Sequence, residues 1–369
     1  MKFAVIEYSS KTGRIWHHTA SRPNYVCDPI KEIDPTSFGC YVSALQGEHI
    51  PLTHFIAGDK VNLVAKTYRK IVKRLSGSWP MSYSVDYFAK FDALLVVYQL
   101  SDGHEMVAFL RTLRAKYPKI VILGVPTQPY GILQGAWTTH PEKLNEMQEF
   151  MNMCDVFLTI VESTLTIWQS LTSTPVAYLP QPYPVEYALE QWKPRSAKSN
   201  VIFVAGITDR NNIIKGQIVA RNLQKKFPHY RIQMAQVPDM NLDTAALAGT
   251  TFDIVPFLPW REHIAFLAKT ALVINTDYTF TRGRVQVDCA AVGTASIGAN
   301  SDGQNDLFPK LPATDNTDIE QLVLQGTQLL NDSSYYDEVM RTAKQRLQKY
   351  NYEESKKRIE ELVTKHSHE

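Results

Sequence analysis

Two short stretches of this chain carry residue types suited to holding a multiply charged anion. The first, "VAGITDRNNIIKG" (204–216), runs from an apolar segment through Gly206 into a polar turn holding Arg210, then through Lys215 and Gly216 into a helical pattern. A glycine relaxes the turn after a strand, and backbone amides at the start of a helix can face an anion with the help of the helix dipole. Arg210 adds a two-pronged donor and Lys215 a point charge, both suited to a diphosphate. The second, "TRGRVQVDCAAVG" (281–293), places Arg282, Gly283 and Arg284 at the entry of another helical pattern, with Asp288 in its first turn. Each stretch also has a plainer reading. Cations in polar turns are usually solvated, and an acid in a first turn is favoured by the dipole alone.

These residues need elements to position them. "KFAVIEY" (2–8), "FDALLVVYQL" (91–100), "KIVILGVP" (119–126), "CDVFLTIV" (154–161) and "TPVAYLP" (174–180) are apolar runs rich in β-branched residues, separated by helical patterns such as 104–118 and 142–153. That alternation predicts βαβ units around a parallel sheet. "PQPYPVEYALEQWKPRSAKSN" (180–200) interrupts it with proline, charge and serine, which predicts a linker over 181–200. A second series follows, with strands predicted at 201–205, 231–235, 252–255, 271–275 and 294–298. Its helices are expected near 216–227, 260–269, 284–292 and 316–331, and the charged end reads as two more, 334–348 and 352–365.

The chain is therefore expected to be α/β, with two Rossmann-like domains, 1–180 and 201–349, facing across a cleft. Ligands of such sheets lie beyond the carboxyl ends of the strands, so the cleft is the default site. Residues 9–59, rich in Pro, Gly and His, yield no clear order. "VNLVAKTYRKIVKRL" (61–75) predicts an amphipathic helix with Val61, Val64, Tyr68, Ile71 and Leu75 on its apolar stripe. Its basic face, Lys66, Arg69, Lys70, Lys73 and Arg74, suits either plain solvation or peripheral contact with an anionic membrane.

Composition narrows the classes. At 369 residues the chain exceeds the ~250–300 at which single cores stop growing, in keeping with two domains. The net charge of +2 gives no global argument for nucleic acid or a membrane surface. The amino terminus is too short an apolar run for a signal peptide, and no segment approaches the ~18 apolar residues of a membrane span, so a cytoplasmic protein is expected. Cys27, Cys40, Cys154 and Cys289 lack CxxC spacing, which argues for buried thiols over a disulfide framework or a zinc site. There is no HExxH motif and no clear Asp-x-Asp, so no catalytic metal is implied, and "SSKTG" lacks the spacing of a phosphate-binding loop.

With these stretches in view, residues 154–365 resemble the nucleotide-sugar glycosyltransferases of the GT-B fold, in particular the group 1 or family 4 type. Lys215 matches that family's Lys-Gly at a helix start, while Arg210 stands later after Gly206 than the family's arginine does. "FDIVPFLPW" (252–260) looks like its nucleobase loop, with main-chain groups at Val255, Pro256 and Phe257 meeting the base. The family has two glutamates separated by seven residues. The second aligns with Asp288, where the resemblance implies a carboxylate accepting from ribose hydroxyls, a role suited to a group that accepts without donating. The first falls on Phe280, which cannot replace a carboxylate, so the sugar pocket must differ. Arg282, Gly283 and Arg284 then lie where a β-phosphate or sugar would be held. The closing "YNYEESKKRIEELVTK" (350–365) is similar to the family's final helix, which returns to the amino-terminal domain, here through 350–369.

In the amino half the resemblance fades. Where the family often has an acceptor-facing histidine, this sequence has "GVPTQPYGI", with Gln128 and Tyr130 as polar candidates and no general base. His17, His18, His104 and His140 read as surface histidines. The expected activity is transfer of a sugar from a nucleoside diphosphate sugar to a hydroxyl acceptor, with Lys215 and Arg210 as the catalytic cations and no cofactor beyond the donor itself. The resemblance implies retention of anomeric configuration. Two alternatives stay open: a sugar-nucleotide epimerase of the same fold, and a nucleotide- or sugar-binding protein without turnover, which Phe280 favours.

Overall fold

The computed structural model describes residues 1–8, 25–26, 39–52, 54–55, 71, 82–205, 213–235, 252–256, 258, 260–280, 284–300, 303–315 and 318–367. The chain divides into two compact units, one of Met1–Tyr183 with Tyr352–Glu369 and the other of Pro184–Asn351.

The first unit is built on strands β1 (Phe3–Tyr8), β2 (Tyr25–Val26), β3 (Glu48–Leu52), β4 (His54–Phe55), β5 (Ser82–Tyr83), β6 (Ala93–Tyr98), β7 (Val121–Pro126), β8 (Val156–Thr159) and β9 (Val176–Tyr178). Seven of them form one sheet in the order β2-β3-β1-β6-β7-β8-β9, parallel except for the short β2, and β4 pairs with β5. Helices cover both faces, which is why β6 is buried along its whole length and reads as an unbroken apolar run. Leu94, Val96 and Tyr98 pack with Phe109 and Leu110 of the Gly103–Lys116 helix and Phe150 of the Pro141–Asn152 helix. The alternate residues Leu95 and Val97 face Tyr41 and Leu45 of the Gly39–Leu45 helix, and Ile359 and Val363 of the Tyr352–His366 helix.

Some elements escaped the sequence pattern. Helix Gly39–Leu45 and strand β3 arise within 9–59, where short apolar pieces are broken by Gly, Pro and His. A helix also spans Tyr130–Thr139, although its Gly131 and Gly135 weaken the propensity signal. It is held by tertiary packing: Tyr130, Trp137 and Trp168 meet edge to face, with ring centroids 5.9–6.2 Å apart.

The second unit holds β10 (Val201–Ala205), β11 (Arg231–Ala235), β12 (Phe252–Val255), β13 (Leu272–Asn275) and β14 (Ala295–Gly298), all parallel, in the order β12-β11-β10-β13-β14. These strands form within a residue of the expected positions. The strand order reverses between β10 and β13, and the carboxyl ends of that pair define the switch point at which such sheets bind ligands. Two glycines fix the neighbouring turns. Gly293 (φ +78°) closes the Val285–Val292 helix in the left-handed region. Gly298 (φ +141°) lies where an added Cβ would fall 1.8 Å from the Asn275 carbonyl oxygen.

The helix expected over 61–75, with its membrane reading, falls outside the described residues apart from the exposed, helical Ile71. No described helix is long and apolar enough to cross a membrane. Cys40, Cys154 and Cys289 are buried, and burial pushes the thiols of Cys154 and Cys289 well up from their usual range; Cys27 is outside the described residues.

Candidate functional site

The helix Ile213–Lys226 lies across β10 and β13, and Gly216 permits the approach. A Cβ there would stand 2.7 Å from Val204 Cγ1 and 3.3 Å from Thr276 Oγ1. One residue earlier, in the first turn, Lys215 is only 3% exposed. A buried ammonium must be solvated by protein. Its Nζ donates to the Tyr278 hydroxyl at 2.5 Å and to the backbone carbonyl of Asp315, and it sits 4.7 Å from the centroid of the Tyr278 ring. The Tyr278 oxygen in turn lies 3.4 Å from Thr314 Oγ1.

The segment leaving β13 is shaped by its own polar side chains. Asn275 Oδ1 accepts from the Asp277 amide at 3.3 Å, and Asp277 Oδ1 accepts from the Thr279 amide at 2.9 Å and its hydroxyl at 2.6 Å. Phe280 then takes a left-handed backbone (φ +54°), a conformation that costs a bulky residue energy. Arg284 caps the Val285–Val292 helix, and its Nη1 is buried with no hydrogen-bond partner among the described residues.

Asp288, in that helix's first turn, is 3% exposed, which sets aside its plainer reading as a solvated acid. Its Oδ1 accepts from the indole Nε1–H of Trp260 at 2.9 Å. The Trp260 ring lies against Tyr187, with centroids 5.7 Å apart. One helical turn on, burial holds the His263 imidazole below its usual pKa, with Arg284 adding to the effect and Asp288 opposing it. The polar group around Asp288 thus joins the Trp260–Leu267 helix to the Val285–Val292 helix.

Of the expected donor-site residues, Lys215, Pro256, Arg284 and Asp288 are described, and Pro256 is exposed just after β12. Gly206, Arg210, Phe257, Arg282 and Gly283 lie outside the described residues. In the first unit, Gln128 Oε1 accepts from the Thr127 hydroxyl at 2.5 Å, and Tyr130 turns its ring into the aromatic group with Trp137 and Trp168. His104 and His140 are exposed, and His17 and His18 are outside the described residues.

Sequence reasoning missed Tyr278, Trp260 and His263, although Trp260 closes the expected nucleobase loop and the other two stand close to the stretches it singled out. Each has an ordinary residue type for its place, and only its partner gives it meaning. It also missed a buried pair on β1 and β3, where His49 Nε2 and Glu7 Oε2 are 3.1 Å apart.

No protein-family model matches the chain, and no curated protein matches it in sequence. Solved structures do match in three dimensions. An α,α-trehalose 6-phosphate synthase from Burkholderia multivorans aligns with a TM-score of 0.63 at 10% identity, covering 99% of this chain and 98% of that one. A sucrose-phosphate synthase from Thermosynechococcus elongatus aligns with a TM-score of 0.63 at 14% identity, over 99% of each chain. An α-glucosyltransferase solved with UDP-glucose and DNA containing an abasic site aligns with a TM-score of 0.57 at 14% identity, also over 99% of each. The chain has the GT-B fold. In GT-B order, the second Rossmann-like unit is the one that carries Lys215, Tyr278, Arg284 and Asp288.

Proposed function

We propose that this GT-B protein is a glycosyltransferase that moves a sugar from a nucleoside diphosphate to a hydroxyl acceptor, with retention of configuration and without a metal ion. The observation that carries the reading is the buried ammonium of Lys215 at the β10–β13 switch point, in the first turn of the helix that follows β10. A diphosphate there faces the helix amides and lies within the field of a buried positive charge. When the nucleoside diphosphate leaves, negative charge grows on the β-phosphate, so cations at this place stabilise the transition state more than the bound donor. Loss of one such contact raises the barrier by about 3 kcal/mol, by analogy with oxyanion donors. Asp288 takes the ribose hydroxyls beside its bond from Trp260, since a carboxylate offers several acceptor sites. The aligned α-glucosyltransferase was solved with UDP-glucose, so UDP is the first nucleoside diphosphate to test.

Phe280 favours a second reading, a protein that binds the nucleotide or sugar without turnover. It stands where the resembling family has the glutamate that contacts the donor sugar, and an aromatic ring cannot accept a hydrogen bond in that way. Incubation with UDP-, GDP-, ADP- and TDP-sugars separates the outcomes. Slow release of free sugar, faster transfer to an added acceptor, and a melting temperature raised by a nucleoside diphosphate support the transferase. Binding without release or transfer supports the second reading, and interconversion of the donor sugars means an epimerase instead. No binding of any of the four rules out the donor site itself.

A further inference from the structure

Lys215 is enclosed. The residue is 3% exposed, the Tyr278 ring lies against its ammonium, and at least two of the three ammonium N–H donors are taken up inside the protein, by the Asp315 carbonyl and the Tyr278 hydroxyl. Tyr278 is the more exposed of the two and lies three residues beyond the end of β13. A tyrosine hydroxyl both accepts and donates. Here it accepts from Lys215, so its own O–H must point elsewhere. Among the described residues the other polar atom in reach is Thr314 Oγ1, at a long 3.4 Å. A hydroxyl that accepts from a cation is polarised and becomes a stronger donor.

Given the nucleoside diphosphate site proposed for this unit, we infer that Tyr278 is the group that touches the diphosphate, and that Lys215 acts through it. The relay runs from the Lys215 N–H to the Tyr278 oxygen, and from the Tyr278 O–H to a phosphate oxygen. The positive charge stays in its protein cage while its effect reaches the anion one hydroxyl further out. Phenylalanine at 278 would keep the ring beneath the ammonium and remove only the link. Lys215 is thus a positioning and polarising residue, and Tyr278 a phosphate-binding one.

Calorimetric titration of the full chain with UDP, GDP, ADP and TDP, followed by the nucleoside of the tightest binder, tests the relay. Tyr278→Phe is expected to weaken the diphosphate by about tenfold or more while leaving the nucleoside within about twofold. Lys215→Met is expected to do the same, and the double variant to bind no more weakly than the weaker single variant, because both changes cut one chain of bonds. Unliganded melting temperatures establish that the variants fold, and Tyr278→Leu replaces Tyr278→Phe if the latter does not.

Wild-type diphosphate affinity in Tyr278→Phe, alongside a loss in Lys215→Met, would mean that Lys215 reaches the anion itself. That result overturns the relay and leaves the donor site standing. Additive losses in the double variant, or equal weakening of nucleoside and diphosphate, overturn it as well. If the wild-type chain binds none of the four diphosphates, the donor site fails and the relay with it.

Discussion

Asp288 shows how much a single buried acceptor does. Replacing it with alanine removes the charged acceptor of the Trp260 indole N–H, and losing a hydrogen bond to a charged group costs about 1.5–3 kcal/mol. Asp288→Asn keeps an acceptor oxygen in place, so urea unfolding is expected to show most of that loss for Ala and little of it for Asn. Both changes remove the carboxylate proposed for the ribose, so both should reduce the melting shift given by a nucleoside diphosphate. His263 adds a pH dependence. Its folded pKa lies below the usual value of 6.5, so between the two values the unfolded chain binds more protons than the folded one. Stability is therefore intact above pH 6.5 and falls as pH drops below it, by at most about 1.4 kcal/mol per pH unit from this group. Urea midpoints at pH 7.5 and pH 5 should show that fall, and His263→Leu should lessen it.

At the level of elements, glycines mark where strands and helices come closest. Gly298→Ala would drive a Cβ into the Asn275 carbonyl at the end of β13 and force an alanine to hold φ +141°, so this variant is expected not to accumulate as folded protein. At Gly135, on the Tyr130–Thr139 helix, an added Cβ would have nothing within 4 Å. Gly135→Ala should raise stability by up to about 1 kcal/mol, measured by the melting temperature of the unliganded chain. The two glycines look alike in the sequence, and their surroundings make them opposite. Elements themselves were largely legible. Runs such as Ala93–Tyr98 and Leu272–Asn275 are apolar because both faces of a parallel sheet are covered, and that constraint is written locally. The Tyr130–Thr139 helix was not legible, because its stability comes from Trp137 and Trp168 rather than from its own propensities.

For the whole molecule, the final helix matters out of proportion to its place in the chain. Ile359 and Val363 are buried among Val5, Leu95 and Val97, so residues at the carboxyl end complete the core of the first unit. Ile359→Ala should destabilise that unit by about 2–5 kcal/mol. Amide hydrogen exchange is the check: β1 and β6 should lose protection while β10 and β13 keep theirs.

What the sequence determined by itself was most of the series of strands and helices and the α/β class, since hydrophobic period and turn chemistry depend on neighbours in the chain. It also pointed to Lys215 and Asp288, through residue type and position at helix starts. Only the tertiary structure decided which groups those residues meet in the folded protein. Lys215 meets Tyr278 and Asp315 from 63 and 100 positions away, and Asp288 meets Trp260 from 28. A buried charge is defined by the partners that replace its water, and partners so distant in sequence leave no local pattern.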